Sequence, residues 1–501
     1  MSYADAIRPI RNRMRKFSYE SVLTQISLYL QADEGEGEKH LRRLPWVAER
    51  LAIWALRDRP TMYGTQTMQS SDLNRCMNMA WHLMDNAIEW HREGDPIDLF
   101  MRSMLLSQTP HQSAAAIGAF ARQIDLLNRL DPASRLRRAI DAALGMDAYT
   151  YLQLAVFFWL RDGNKMNEVF LPAYWSALQL GFGEAQIRSL LQTMFVPYER
   201  VCQEIEPVDE DEWFQPTLLY RFPFVVHNRK LHFFGMPSLR RHFEYAFSDI
   251  VVRLEEPKVR QPFEDAFEDY VGDSLKRTGL RVLRENEVRR EFGVEGPCCD
   301  FAVIDGDCIV LLEAKNKALA HTFPASATVR TYRSKLSATL VKAASQLHNV
   351  ASHVVRSTMT KSLKVHKVIV TYGDLMFGSG RCLFEGTTED QNPLIFGADQ
   401  LDRLLEAVRL GQCSLSDFFD DYRGRQADPA RRFFSPAQLL EHPPYQLTAP
   451  PQHLADVFNP FFDDMTRRLT GSDEIGENRI RIGAEQISWH ARQWIGPAGQ
   501  A

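Results

Sequence analysis

Residues of the types that handle phosphate and water crowd one short stretch, PCCDFAVIDGDCIVLLEAKNK at 297–317. Two apolar runs, Cys298–Ile304 and Cys308–Leu312, flank Asp305-Gly306. An Asp-Gly between strand-like runs is the strongest short-range signal for a tight hairpin. The second run then ends in charge, because Glu313, Lys315 and Lys317 follow Ile309-Val310-Leu311-Leu312 directly. Charge on the end of a buried strand is costly unless it is paired, ligated or facing a wet cleft. With Asp305 and Gly306 as the turn, Asp300 falls opposite Leu311; with Gly306 and Asp307, it falls opposite Glu313. Paired residues and residues two apart share a sheet face, so either turn gathers Asp300, Glu313 and Lys315 on one face. A three-residue turn would separate them.

Two adjacent carboxylates raise each other's pKa unless a cation sits between them. An oxygen-only pair with room for water and a phosphate suits Mg²⁺, which keeps several waters and takes one or two protein carboxylates. Lys315 could contact a phosphate oxygen or orient the attacking water, whose pKa the metal lowers. The competing reading of so short a pattern is a solvated strand end with a chance salt bridge. Downstream, Lys317, His321, Arg330, Arg333, Lys335 and Lys342 follow with no intervening acid. That is the local basic patch that phosphate contacts need. The segment HTFPASATVRTYRSK within it reads as a loop beside the cleft.

The elements that must position these residues can be read around them. Phe263, Phe267, Val271 and Leu275 recur every four residues, which predicts a helix over Pro262–Arg277 that Gly279 stops. Leu280–Leu283 and the segment near Val288–Phe292 supply a first strand, and the hairpin follows. Thr339–Val354 reads as a helix with Leu340, Ala344 and Leu347 on its apolar face, and His366–Tyr372 as a buried strand.

This order, with Asp300 before the hairpin and Glu313-Ala314-Lys315 at its end, resembles the PD-(D/E)xK nuclease superfamily. That family's core runs helix, three-strand meander, helix, strand, and the resemblance covers roughly residues 260–375. It implies a restriction-endonuclease-like α/β core, a mixed sheet flanked by helices, that hydrolyses phosphodiester bonds in DNA with Mg²⁺ or Mn²⁺. Asp300 and Glu313 would ligate the metal with the carbonyl of Ala314. Lys315 would position the water or stabilise the pentavalent phosphate. A glutamate on the family's first helix often reaches the metal, and Glu268 falls there, with Glu264 one turn earlier as the competing choice. The family's cleft-facing glutamine or lysine after the motif corresponds to Lys342 and Gln346, which are four apart and share a face. The sequence departs from the family at Cys299, which stands where a proline should precede Asp300, with Pro297 displaced. That position supplies no ligand.

Composition sets the wider bounds. The 501 residues are 45% hydrophobic and 25% charged, which predicts two to four globular domains. A chain that only coated nucleic acid would be basic; this one carries a formal charge of -5, so any nucleic-acid site is local. Cys76, Cys202, Cys298, Cys299, Cys308, Cys382 and Cys413 form no CxxC pair, which favours the reduced thiols of a cytoplasmic protein. Cys298, Cys299 and Cys308 have no suitably spaced fourth ligand and read as core residues rather than zinc ligands. No apolar run reaches the length of a membrane span, and no apolar segment follows the arginines of the N-terminus as in a secretory signal.

The chain reads as multidomain. Residues 1–205 form an all-α binding or regulatory domain, and residues 206–259 a small connector with a hairpin of Leu218–Val226 and Lys230–Phe234. The nuclease-like domain is 260–423. Residues 424–501 are a Pro-rich extended tail with one helix, His453–Leu469. A large helical region beside a single nuclease domain resembles the nucleases of anti-phage defence and mobile elements. One metal site per chain favours a homo-oligomer, or a protein partner bound through the helical domain, for cutting both strands. The alternative is a non-catalytic nucleic-acid- or protein-binding module on a degenerate nuclease fold. No base-reading motif separates DNA from RNA.

Overall fold

A computed structural model describes residues 2–32, 44–83, 116–159, 172–205, 217–316, 329–357, 362–377, 392–428 and 435–470, with a few isolated positions between them. The helical periodicity of the N-terminal part becomes helices Tyr3–Met14, Tyr19–Gln31, Pro45–Arg57, Ser70–Trp81, Ala116–Arg129, Arg135–Leu144, Ala148–Trp159 and Pro172–Met194. Ser18 and Ser134 cap two of them by accepting the backbone N–H of Ser21 and Arg137. Gly183, at φ +72°, breaks the last into two helices. The sequence pattern also predicts a helix over Ile97–Leu106 and an acidic loop, DEGEGEK, at 33–39; both lie almost wholly outside the described residues.

The all-α expectation for residues 1–205 needs one correction. Phe195–Pro197 is a strand (β1) that pairs in parallel with Phe224–His227 (β2), which pairs antiparallel with Lys230–Phe233 (β3). The Phe195 ring packs edge-on against Phe224 at 5.0 Å and Val196 is buried, so packing against β2 draws this segment out of the helix before it. The predicted strand from Leu218 shortens at its start, because Leu218–Arg221 is a 3₁₀ turn. The described chain is thus mixed α/β, about 66% helical with two mixed sheets.

The larger sheet positions the candidate residues. Its five strands run in order β4 (Arg281–Arg284), β5 (Phe301–Asp305), β6 (Cys308–Lys315), β7 (Lys364–Thr371) and β8 (Leu394–Gly397). The first three form the antiparallel meander, and β7 and β8 run parallel to β6. Val288–Phe292 does not extend the first strand; Glu285–Phe292 is a helix. Glu285 and Glu287 at its start, Arg289 and Arg290 at its end, and Gly293 in the left-handed cap at φ +61° all suit a helix better than a strand. The basic segment is also not all loop, since Val329–Leu336 is helical and continues through a wide turn, Ser337–Val341, into helix Lys342–Arg356. Among the described residues, no helix is long and apolar enough to cross a membrane.

Both sheet faces are covered, as the near-continuous apolar runs require. Phe301, Val303, Val310, Leu312, Val368 and Val370 share one apolar cluster with Phe263, Phe267 and Val271 of helix Pro257–Lys276. Phe120 and the tail residues Phe458 and Phe461 belong to the same cluster. Ala302, Ile309, Leu311 and Ile369 share the other cluster with Leu340, Leu347 and Val350, and with the helices of residues 3–83. The apolar packing therefore runs across the boundaries read at 205, 259 and 423. The tail is also more structured than an extended arm with one helix: Pro436–Leu439 forms a short helix, Leu440 and Tyr445 are buried, and Gln452–Thr470 packs into the core.

Helix Pro257–Lys276 comes down onto β5 at a single glycine. A Cβ on Gly272 would lie 2.8 and 2.9 Å from ring carbons of Phe301, a side chain only 1% exposed with no room to yield. Gly272→Ala is expected to destabilise the fold by about 1–3 kcal/mol, read as a lower midpoint in urea with the slope unchanged. An unchanged midpoint would show that helix and strand are free to part.

Candidate functional site

The hairpin closes with Gly306 and Asp307 as its two turn residues, and Asp305 pairs with Cys308. Gly306 takes a φ of +56°, the left-handed value that the first position of such a turn demands. Phe301 pairs with Leu312, which puts Asp300 opposite Glu313. Of the two tight turns considered, the structure adopts the second.

Where β5 begins, the ladder hands over from backbone to side chains. Ala314 has the hydrogen-bonding phase of Leu312, so its N–H and C=O both point towards the β5 side, past the end of that strand. The Asp300 carboxylate accepts this N–H at 2.8 Å. In return, the Glu313 carboxylate accepts the backbone N–H of Asp300 at 3.2 Å. Each acid thus satisfies a backbone donor beside the other. The Lys315 ammonium donates to the second Glu313 oxygen at 2.5 Å. Glu313 is almost wholly buried, at 1% exposure, while Lys315 is partly open.

Two helices set the approach to this strand end. Glu268 lies one turn before Gly272 on helix Pro257–Lys276, and Arg284 of β4 braces the next residue through a 3.1 Å bond to Asp269. Glu264, the competing choice, is one turn further away and exposed. From the other side, helix Lys342–Arg356 grips the loop that leads into Asp300. Gln346 donates to the Cys298 carbonyl at 2.9 Å, and Asn349 donates to the carbonyls of Glu295 and Pro297 at 2.9 and 2.7 Å. Gln346, expected to face a ligand, spends its amide N–H on this loop and acts as a positioning residue. Asn349 was not singled out in the sequence; the signal for it was its place on one stripe with Lys342 and Gln346. Cys298, Cys299 and Cys308 are buried free thiols, as their core reading requires.

The basic patch is only partly in view. Lys335 and Lys342 are exposed, and the Arg333 guanidinium donates to the Leu383 carbonyl at 3.1 Å. Lys317 lies outside the described residues, as does the side chain of Arg330.

The carboxyls hold their protons unusually well. Burial, followed by the charge of Glu313, pushes the Asp300 carboxyl up to about 7, with Lys315 only partly offsetting them. Glu313 is raised by burial against the pull of Lys315. Glu268 is an exposed residue, yet desolvation of its carboxyl and the charges of Asp300 and Asp269 push it up to about 7. Asp300 and Glu313, with Glu268 near enough to feel the charge of Asp300, offer oxygen donors of the kind hard cations take. The donor chemistry therefore fits Mg²⁺ or Mn²⁺. As they stand, no three His, Cys, Asp or Glu groups among the described residues are arranged to hold a metal. The physical reason is visible at the strand end, where one Asp300 oxygen serves Ala314 and Glu313 is claimed by Lys315 and the Asp300 N–H.

Crowding has a measurable cost. A carboxyl whose folded pKa exceeds its unfolded value binds more protons when folded, so it favours the folded state below the unfolded pKa and loses that contribution as pH rises through the folded one. For Asp300 the loss runs from roughly pH 4 to about 7. Asp300→Asn keeps an acceptor for Ala314 and removes the charge. It is expected to raise the melting temperature by about 2–4 °C at pH 8, by clearly less at pH 5, and to leave it unchanged below about pH 4. A fall at pH 8 would mean that the carboxylate is stabilising as it stands. No protein-family model, no curated protein and no solved structure matches the chain, so the reading of this site rests on its own residues.

Proposed function

We propose that this chain is a metal-dependent nuclease of the PD-(D/E)xK type that hydrolyses phosphodiester bonds in DNA. The observation that carries the reading is the convergence of Asp300, Glu313 and Lys315 at one strand end, with carboxyls held above their ordinary range by burial and mutual charge. Glu268 supports it from the neighbouring helix.

Asp300, Glu313 and the Ala314 carbonyl would hold Mg²⁺ or Mn²⁺, with Glu268 at its edge. When bound, the metal supplies Lewis acidity to the phosphate and lowers the pKa of a bound water. The chain's own groups do the rest. Asp300 and Glu313, whose protons are held by burial and mutual charge, would have to give them up to serve as ligands, and a cation between them would offset their repulsion. Lys315, which now donates to Glu313, would turn its ammonium to a phosphate oxygen or to the attacking water. The exposed Lys335 and Lys342 carry positive charge for the nucleic-acid backbone.

A second reading is favoured by a specific observation. Glu313 already accepts the Asp300 N–H and the Lys315 ammonium, and Asp300 accepts the Ala314 N–H, which would suit a non-catalytic binding module as well as a resting enzyme.

Cleavage of supercoiled, linear and single-stranded DNA and of RNA, in Mg²⁺, Mn²⁺ or EDTA, separates the two. Wild type is expected to cut DNA only with metal, and Asp300→Asn and Lys315→Ala to cut at least about 100-fold more slowly. An inert wild type that also binds no Mn²⁺ by calorimetry would establish the binding module. The raised carboxyls add a sign: Mn²⁺ affinity should fall about tenfold or more per pH unit below 7, because protons compete for the ligands. A flat affinity between pH 6 and 8 would remove Asp300 from the metal site.

A further inference from the structure

Helix Pro257–Lys276 has a second polar anchor on the side away from the candidate site. Glu268 and Tyr270 are two residues apart, so they point about 200° apart around the helix. Tyr270 is fully buried, and its hydroxyl donates to Asp402 at 2.7 Å and lies 3.2 Å from Nε2 of His453. Asp402, at 0% exposure, also accepts Nε of Arg122 at 2.7 Å, and its other oxygen stands 3.4 Å from His453. Arg122 continues to Asp399 at 2.5 Å. One helical turn or so further along, Arg129 bonds Asp273 at 2.8 Å, and its guanidinium lies 5.8 Å from the Tyr270 ring centre.

Four separate segments therefore end on one buried carboxylate: helix Ala116–Arg129, helix Pro257–Lys276, helix Ala398–Arg409 and the C-terminal helix Gln452–Thr470. Apolar packing alone lets a helix roll within its groove. A buried tyrosine hydroxyl tied to an ionised aspartate does not, because an unsatisfied charge or hydroxyl in that core costs more than the small gain of repacking. The rotation of the helix is thus set from behind, and with it the direction of Glu268. Gly272 against Phe301 sets the height of the same helix above the sheet.

We propose that Tyr270, Asp402, Arg122 and His453 act together as positioning residues for Glu268, which makes the C-terminal helix part of the candidate site. The inference rests on the reading of Glu268 as the third carboxylate of that site. None of the four touches Asp300, Glu313 or Lys315 in the contacts described, so each acts through the helix.

A double-mutant cycle on the full chain tests it, with Mn²⁺ binding measured by calorimetry. Tyr270→Phe removes only the hydroxyl and is expected to weaken Mn²⁺ binding about tenfold. In the Glu268→Gln background the same change should weaken it no further. Equal weakening in both backgrounds, or none in either, overturns the proposal. Should Tyr270→Phe fold poorly, His453→Leu takes its place, with His453→Gln expected to restore binding by keeping a polar partner for Asp402. If the wild type binds no Mn²⁺, the functional reading falls, and hydrogen exchange over residues 263–273 decides the anchoring separately. Faster exchange in Tyr270→Phe sustains it, and unchanged exchange overturns it.

Discussion

Glu313 is a carboxylate almost wholly withdrawn from water at the end of an apolar strand, and the surrounding architecture answers that constraint. A buried carboxylate without partners would simply take up a proton. Here it receives the Asp300 N–H and the Lys315 ammonium, while Asp300 receives the Ala314 N–H. These contacts are enough to keep the strand end closed but too few to restore ordinary acidity, because the two acids also repel. The result is a strand end where Asp300 keeps its proton towards neutrality and Glu313 is raised with it.

Closing the strand end in this way places demands on distant parts of the chain. Asp300 stands outside the sheet ladder, on a loop with no strand partner of its own. Gln346 and Asn349 supply three hydrogen bonds to the carbonyls just before it. Helix Lys342–Arg356 thus holds that loop from outside. Glu268 belongs to a helix on the opposite sheet face, brought close by Gly272 and fixed in rotation by Tyr270. The carboxylates are thus oriented by elements that carry no chemistry themselves.

The same packing bears on how the chain is organised. The sheet lies between two apolar clusters, one built from residues before, within and after 260–423 and the other from residues before and within it. Polar links follow the same pattern, since Arg122, Tyr270, Asp402 and His453 come from four segments. A region that packs this closely behind a sheet transmits its own displacement to the strand ends, because close-packed interiors yield little.

Much of the local structure was legible in the sequence. The four-residue recurrence of Phe263, Phe267, Val271 and Leu275 specified a helix, and Asp-Gly specified a tight hairpin, because side-chain periodicity and turn stereochemistry act over a few residues. With those two facts, the sharing of a face by Asp300, Glu313 and Lys315 followed from the pleat alone. The sequence could not choose between the two turn registers, since both satisfy the same alternation; the paired strands made that choice. It also misread Val288–Phe292 as strand and Phe195–Pro197 as helix. Such short apolar segments take their conformation from what they pack against, and from caps whose effect depends on context. Only the tertiary structure decided the roles of Gln346, Asn349, Gly272, Tyr270 and His453. Each acts on a partner at least 29 residues away, and no local pattern of residues encodes such a meeting.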